Sequence, residues 1–209
     1  MKLSKTVIAL ILLSVIATLF IYQSLPDTIP LHWNIKGEVD NTGGKNFVFV
    51  TALLPLALYL LMKFAPKIDP KKASYDKHMG SYQIITISVV LMMIGIHWVS
   101  IVAAMGYNID VGMFVKIGVG LLFIVLGNVM PKLRHNYFVG IRTPWTLANE
   151  DSWRKTHRFG GYAFVLAGLA FFVSAFFHSA VSAYISFGIT IALLISTFVY
   201  SYVAFKKAA

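Results

Sequence analysis

Residues 6–25 read TVIALILLSVIATLFIYQSL, an apolar run of about 20 residues that follows Lys2 and Lys5 and ends before Pro26. A helix rises about 1.5 Å per residue, so this run is long enough to cross the hydrocarbon core of a bilayer. A cleaved signal peptide is the alternative. Because the run is long and no small-x-small cleavage site follows it, we expect a retained first helix.

Five further apolar runs follow along the chain, at 47–64, 82–105, 111–129, 162–177 and 183–205. Pro55 lies inside the second run, where a spanning helix tolerates proline with a kink. Four glycines lie along the fourth run and would allow close approach of a neighbouring helix. The sequence therefore predicts an all-α integral membrane protein with six transmembrane helices.

The composition supports a membrane protein, because 58% of the residues are hydrophobic, 12% are charged and the mean hydropathy is +0.75. A soluble domain of 209 residues cannot bury that much apolar surface. The formal charge is +10. The basic residues lie at the ends of apolar runs, where they set orientation and contact anionic lipid, so direct nucleic-acid binding is not expected. The chain has no cysteine, which excludes disulfides and thiolate metal sites.

Lysine and arginine are distributed unevenly between the two ends of the predicted helices. With the N-terminus inside, only Lys36 and Lys45 lie in outer connections. Apart from Lys116 in the fourth run, the other basic residues are then inside: Lys2, Lys5, Lys63, Lys67, Lys71, Lys72, Lys77, Lys132, Arg134, Arg142, Arg154, Lys155, Arg158, Lys206 and Lys207. The positive-inside rule therefore places both termini in the cytoplasm.

The chain divides into three regions. Residues 1–66 form an N-terminal helical hairpin with an outer His-Trp-Asn loop, and residues 67–81 form a basic cytoplasmic connection. Residues 82–209 form a four-helix region that carries the cytoplasmic element Gly-Ile-Arg-Thr-Pro-Trp-Thr-Leu at 140–147. With three spans per half, the two halves cross the membrane in opposite directions, as in the inverted repeats of some transporters, although their loops share no pattern.

The longest polar interval, 127–161, is the main candidate site. Asn149 is a good helix N-cap, and Glu150 then lies in the first turn, where the helix dipole favours negative charge. We expect a short amphipathic surface helix of about ten residues that bends into the fifth span at Gly160 and Gly161. The spacing i, i+4, i+7 places Trp153, His157 and these glycines on one face.

Arg142 precedes Thr143 and Pro144, and proline restricts the residue before it to an extended conformation, so a fixed turn is expected there. Arg142 and Arg134 could form a fork for a carboxylate or a phosphate. The alternative is structural: the two arginines would pair with Glu150, with Asp151 or with the last carbonyls of the fourth helix.

In the outer loop, Leu31, Trp33 and Ile35 alternate with His32, Asn34 and Lys36, which predicts a short extended stretch with Trp33 as an interfacial anchor. The loop is either a plain structural turn or a cap that contacts a partner. Glu38 and Asp40 follow, but one histidine with this spacing is not diagnostic of a metal site, and no metal is predicted.

His97 in the third run and Lys116 in the fourth both lie about 12 Å below the outer boundary of their helices. Ionisable groups at such depth usually face the bundle interior or a water-filled cavity. One hypothesis is that His97 and Lys116 line a polar cavity together. The alternative is a simple interhelical hydrogen bond for His97 and snorkelling for Lys116.

No catalytic constellation is present. There is no nucleophile with a base and an orienting group, no H-E-x-x-H and no glycine-rich phosphate loop. The spanning runs contain no Asp or Glu, which argues against a proton-coupled carrier. We therefore expect a protein that is not an enzyme and needs no cofactor.

Three segments carry a family resemblance. The outer loop has Ile29-Pro30-x-His32-Trp33-Asn34-x-x-Gly37-x-x-Asp40, and the fourth run ends in Gly127-Asn128-x-Met130-Pro131-Lys132-x-Arg134-x-Asn136. The third segment has Gly140-Ile141-Arg142-Thr143-Pro144-Trp145-Thr146-Leu147-x-Asn149-Glu150-x-x-Trp153, then Thr156-His157-Arg158-x-x-Gly161. Together they resemble the SdpI family of bacterial multi-pass membrane immunity proteins, with the uncharacterised domain that often precedes it.

The resemblance implies a protein of the bacterial cell membrane that protects against a secreted, membrane-active peptide toxin. It also implies a receptor that holds a small winged-helix autorepressor at the membrane. The expected toxin contacts are His32, Trp33, Asn34, Asp40, His97 and Lys116. The expected cytoplasmic motif is Asn128, Arg134, Asn136, Arg142, Thr143, Pro144, Trp145, Asn149, Glu150, Trp153, His157 and Arg158. The alternative function is a small membrane transporter or a lipid-handling protein.

Overall fold

The computed structural model describes residues 4–177 and 179–208. Its elements are α1 (Lys5–Ile21), β1 (Thr28–Trp33), β2 (Val39–Gly44), α2 (Val48–Ile68), α3 (Met79–Ala104), α4 (Val111–Val129), α5 (Pro144–Ala148), α6 (Glu150–Ser174) and α7 (Ala180–Lys206). All of these helices except α5 are long and apolar enough to cross a membrane. The six predicted spans are confirmed. Lys2, which contributes to the predicted orientation, lies outside the described residues.

Side-chain caps explain where several helices begin. The hydroxyl of Ser4 accepts from the backbone N–H of Val7 at the start of α1. The carboxylate of Asp110 does the same for Met113 in α4, at 2.8 Å. Each cap satisfies an N–H group that the first turn of a helix leaves without a partner.

Large apolar side chains cover the outside of the six long helices. Phe20 is 81% exposed, Ile68 is 70% exposed and Val181 is 64% exposed. In water such a surface would be an aggregation hazard, whereas in a bilayer it contacts acyl chains. The six helices therefore form a multi-pass membrane protein.

The helices form two groups of three, joined where α3 packs on α4. In the first group, α1, α2 and α3 meet around Ile11, Tyr59 and Val90. In the second group, α6 packs along both α4 and α7. We call the end that carries β1 and β2 the outer end, and the opposite end, where α4 is connected to α6, the inner end.

Two pairs of glycines bring α4 and α6 into backbone contact. A Cβ added at Gly127 would lie 2.6 Å from the carbonyl oxygen of Gly161, and one added at Gly161 would lie 2.9 Å from that of Gly127. Gly120 and Gly168 face each other in the same way, at 2.8 and 2.6 Å. The predicted close approach along the fourth run is confirmed, and its partner is α6.

The outer loop is a β-hairpin in an otherwise helical fold. β1 and β2 pair antiparallel, with irregular register on either side of His32. The side-chain oxygen of Asn34 accepts from the N–H groups of Lys36 and Glu38, and Gly37 has a φ of +82°. The predicted extended stretch is thus confirmed as one strand of a hairpin, whose turn is built by an Asx motif and a left-handed glycine.

The expected separate surface helix after Asn149 is wrong in one respect. α6 runs without interruption from Glu150 to Ser174, so the expected helix is the first part of the fifth span. Gly160 and Gly161 serve packing, not bending: a Cβ at Gly160 would lie 2.2 Å from the Cδ1 of Ile141. Pro144 likewise does not exclude a helix, because it is the first residue of the short α5.

The glycine contact gives the first testable prediction. Gly127→Leu should lower the free energy of unfolding by about 1–3 kcal/mol or more, because the side chain would force α4 and α6 apart. Thermal unfolding in detergent measures the change. Gly188→Leu is the matched control, since a Cβ there would meet nothing within 4 Å. Equal melting temperatures for the two variants would contradict the contact.

Candidate functional site

The inner end is closed by what we call the inner cap: residues 69–78 of the connection between α2 and α3, residues 133–147, and the first turns of α6. Asp69 is the residue that ties these segments together. It is 2% exposed, and its carboxylate accepts from Lys71 N at 2.7 Å, from the Tyr75 hydroxyl at 3.0 Å and from Tyr137 N at 2.9 Å. Burial and the adjacent Asp69 carboxylate raise the pKa of Tyr75. The two halves of the chain are thus joined by a buried carboxylate.

Asn136, a predicted site residue, shapes the loop after α4. Its amide nitrogen donates to the carbonyl oxygens of Arg134 and Val139, at 2.8 and 3.0 Å. Its amide oxygen accepts from Phe138 N and Val139 N, at 3.0 and 2.8 Å. Asn136 is fully buried, and this one side chain satisfies four backbone groups of the loop.

Trp153 and His157 form the buried side of the cap, on the face that their spacing predicts. The Trp153 indole donates to the Leu133 carbonyl at 2.9 Å, and the His157 ring stacks on it with centroids 3.9 Å apart. His157 Nε2 lies 3.0 Å from Ile141 N, and Nδ1 lies 2.8 Å from the Trp153 carbonyl oxygen. Nε2 therefore accepts and Nδ1 donates.

Gly140 is required by this arrangement. Its φ is +116°, and a Cβ there would lie 2.3 Å from His157 Nε2. Beyond it, Thr143 caps α5 with a capping box to Thr146. Trp145 then packs against Phe198 and Tyr202 of α7. The Gly-Ile-Arg-Thr-Pro-Trp-Thr-Leu element is thus a built structure anchored to α6 and α7.

The inner arginines do not pair as one hypothesis expected. Arg142 is exposed and donates to the Tyr137 carbonyl at 2.7 Å. Glu150 instead pairs with Lys71 at 3.3 Å, and Asp151 pairs with Arg154 and Lys155 within its own helix. The expected pairing of Arg134 and Arg142 with these carboxylates is therefore wrong, because closer lysines and an arginine already occupy them.

Of the remaining predicted residues, Arg158 is exposed on α6 and Arg134 is exposed on the loop after α4. Within the described residues, neither they nor Arg142 has a carboxylate within salt-bridge distance. Asn149 caps α6 as predicted, with its side chain accepting from Asp151 N and Ser152 N. Asn128 does not join the cap: it is exposed on α4 and bonds the carbonyl of Ile124.

Two buried histidines belong to the inner cap although the sequence did not indicate them. His135 Nδ1 lies 2.6 Å from Lys71 Nζ and 3.7 Å from Glu150 Oε1. His78 Nδ1 accepts from Arg134 N at 3.3 Å. Burial lowers the pKa of both rings, and for His135 the neighbouring Lys71 ammonium lowers it further. Both histidines are therefore held in the neutral form at neutral pH.

Asp69 and Tyr75 were likewise not identified from the sequence. Their partners Tyr137 and Asn136 lie 68 and 61 residues away along the chain, so no local pattern connects them. The sequence context of Asp69 gave only a weak indication of its role. Asp69 lies five residues after the second apolar run and is surrounded in sequence by lysines, which is an unusual place for a carboxylate.

At the outer end, the predicted contact residues of the hairpin are accessible. His32 Nδ1 lies 2.6 Å from Asp40 Oδ1 across the two strands, and both side chains are exposed. Trp33 is half-buried. Among the residues that the structure describes, no three His, Cys, Asp or Glu side chains are grouped closely enough to hold a metal ion. The hairpin presents polar groups at the outer end.

His97 and Lys116 lie in different places, so the shared cavity is wrong. His97 is buried within the first group of helices, 2.8 Å from the Thr18 hydroxyl and 2.9 Å from the Thr51 hydroxyl. Lys116 Nζ instead points towards the end of α6 and donates to the carbonyls of Ser174 and Phe177, at 3.4 and 3.5 Å. The interhelical hydrogen-bond alternative for His97 is confirmed.

The fold and these two ends define a multi-pass protein of the cell membrane, with a polar hairpin at one end and a buried polar network at the other. Residues 132–203 match the SdpI/YfhL protein family, which is not a known enzyme family, and residues 9–58 match a domain of unknown function, DUF1648. The chain is 25% identical over 205 residues to "Immunity protein SdpI" of Bacillus subtilis (strain 168), and the similarity covers 97% of each chain. The chain is thus similar to this family and to this immunity protein. No solved structure matches it.

The lowered histidine pKa values predict a pH dependence of stability. A histidine whose pKa is lower in the folded state stabilises the fold above its unfolded pKa of about 6.5, and this contribution is lost as the pH falls below that value. We expect the melting temperature in detergent to fall between about pH 8 and pH 5. His135→Gln and His78→Gln should each reduce this fall, measured against the same variant at about pH 8. An unchanged fall in both variants would contradict the assignment.

Proposed function

We propose that the protein is a membrane immunity protein that protects a bacterium against a secreted peptide toxin. The observation that carries this proposal is the similarity to an immunity protein over 97% of both chains, which includes the hairpin, the spans and the inner cap. A similarity confined to the spans could reflect hydrophobic composition alone. Here it also covers the segments at both ends, where the fold carries its polar groups.

The two ends suit different partners. The hairpin at the outer end carries the exposed His32 and Asp40 and the half-buried Asn34, and its turn is fixed by its own hydrogen bonds, so it offers a defined surface to a toxin arriving from outside. Lys116 lies on the same side, near the end of α6. The outer contacts are thus separated from the inner cap by the length of the spanning helices.

The inner cap supports a second part of the proposal, that the protein also acts as a toxin receptor which holds a small winged-helix repressor at the membrane. Arg134, Arg142 and Arg158 are exposed there. Their backbones are fixed by Asn136, by Gly140 and by the α6 helix, so the guanidinium groups extend from a rigid base. Guanidinium groups in fixed positions favour binding of carboxylates on a partner.

The protection assay is the direct test. A toxin-sensitive Bacillus strain that lacks its own immunity protein would express the chain and receive the peptide toxin to which Bacillus subtilis SdpI confers immunity. We expect survival well above that of the empty vector. Sensitivity equal to the vector, with the protein present in the membrane at normal levels, would count against the function. Substrate flux in proteoliposomes without protection would favour a transporter instead.

Arg142→Ala tests the inner surface. The variant should insert at wild-type levels, because Arg142 is exposed and bonds only one carbonyl among the described residues, but repressor capture or resistance should weaken about tenfold. Membrane fractionation of a tagged repressor and survival curves measure the two effects. Arg154→Ala is the matched control, since Arg154 is paired with Asp151. Full retention of both activities in Arg142→Ala would argue against this surface.

A further inference from the structure

A polar cavity of about 540 Å³ lies at the outer end, between three connections of the chain. Its walls come from the tip of the hairpin, the turn between α3 and α4, and the connection between α6 and α7. The polar residues that line it are Lys36, Asn108, Asp110, Lys116 and Ser179. Both groups of helices contribute to it, so this is where the two halves of the chain meet at the outer end.

The hairpin tip is held close to the start of α4. A Cβ added at Gly112 would lie 4.0 Å from the Cα of Gly37. Gly37 itself is fixed, since its N–H donates to the Asn34 carbonyl at 2.9 Å and its φ of +82° closes the turn. The walls of the cavity are thus ordered by local hydrogen bonds, which is a requirement for specific binding at low entropic cost.

Lys116 provides the ammonium group that would bind a ligand in the cavity. It is half-buried and lies about 7.5 Å along α4 from Val111 at 1.5 Å per residue, so it is less deep than the depth of about 12 Å expected from the sequence. Its ammonium group has three donors, and its two carbonyl partners lie at 3.4 and 3.5 Å, beyond the usual range of 2.7–3.2 Å. Lys36 adds a second positive charge at the rim. The Asp110 carboxylate opposes them but also caps α4 through Met113 N.

The depth of Lys116 in the cavity favours a carboxylate at a free chain end over one on the side of a folded helix. A carboxylate on the side of a folded helix would meet the rim of the cavity, where Lys36 lies. A free chain end can enter a cavity of this volume and bring an oxyanion to the ammonium group below. Apart from Lys116, the walls are loop residues and residues in the first turns of α4 and α7, at the outer ends of the helices, which favours a peptide from outside over a lipid headgroup.

We propose that the outer cavity binds the C-terminal carboxylate of the toxin peptide through Lys116, with Lys36 assisting at the rim. This inference rests on the proposed function and deepens it. It assigns different roles to two predicted groups of residues: the hairpin strands contact the body of the peptide, and the cavity recognises its end. The proposed toxin site therefore includes Lys36 and Asn108, which were not among the toxin contacts expected from the sequence, and excludes His97, which was.

The test uses the protein in nanodiscs of zwitterionic phosphatidylcholine. The probe is the peptide toxin of the Bacillus subtilis SdpI system, synthesised once as the free acid and once as the C-terminal amide, with binding measured by fluorescence anisotropy. We expect the wild type to bind the acid about tenfold more tightly than the amide, since a charge-assisted contact is lost. Lys116→Met should bind both forms equally, at the level of the amide.

Two further variants make the result specific. Lys36→Gln, on an exposed turn, should weaken binding of the acid severalfold and leave the amide unchanged. Lys45→Gln is the matched control: it removes the same charge at the outer end, but Lys45 pairs with Asp27 and does not line the cavity. It should bind the acid as the wild type does.

Each other outcome overturns the inference. Equal binding of acid and amide by the wild type would show that the cavity does not bind the C-terminal carboxylate of the peptide. A preference for the acid that persists in Lys116→Met would show that Lys116 does not bind it. If phosphatidylglycerol in the nanodiscs competes with the acid on the wild type but not on Lys116→Met, the cavity takes a lipid phosphate. Absence of both binding and protection would remove the proposed function together with this inference, whereas protection without discrimination removes the inference alone.

Discussion

Lipid offers no water to a polar group, so each polar group within the spans must find its partner inside the protein. Three buried threonines satisfy this constraint locally: Thr18, Thr86 and Thr190 each donate to the carbonyl four residues earlier in the same helix. His97 satisfies it across helices, between the hydroxyls of Thr18 and Thr51. The same rule governs the inner end, where Asp69 collects one hydroxyl and two N–H groups from segments that would otherwise leave them unpaired.

This constraint separates the molecule into two ends with different chemistry. At the inner end, irregular backbone is tolerated because Asn136, Asp69 and His157 satisfy it, and the result is a rigid base with arginines on its surface. At the outer end, the hairpin is exposed and satisfies its own turn, and its tip closes one side of a polar cavity. Between the ends, glycine pairs on α4 and α6 hold the second group of helices in close contact. Two surfaces of different chemistry can therefore coexist at opposite ends of one small protein.

The apolar runs predicted the spans well, and the fourth run has the same bounds, 111–129, as α4. Helical spacing also predicted the face shared by Trp153 and His157, because periodicity within one helix is a local property. The roles of Asp69 and His135 in joining distant segments could not be predicted, since the partners concerned, Tyr137 and Lys71, lie more than 60 residues away along the chain. The hypothesis that His97 and Lys116 line one polar cavity was wrong for a related reason. Helical rise gives the depth of a side chain, but not which neighbouring helix it faces.

The central claim is that the hairpin faces the outside and the Gly-Ile-Arg-Thr-Pro-Trp-Thr-Leu element faces the cytoplasm. The chain contains no cysteine, so single cysteines can be introduced at Asn34 and at Arg142 without background. Labelling intact cells with a membrane-impermeant maleimide tests the claim directly. The account predicts that the cysteine at position 34 reacts in intact cells and that the one at position 142 reacts only after permeabilisation. The reverse pattern would contradict it.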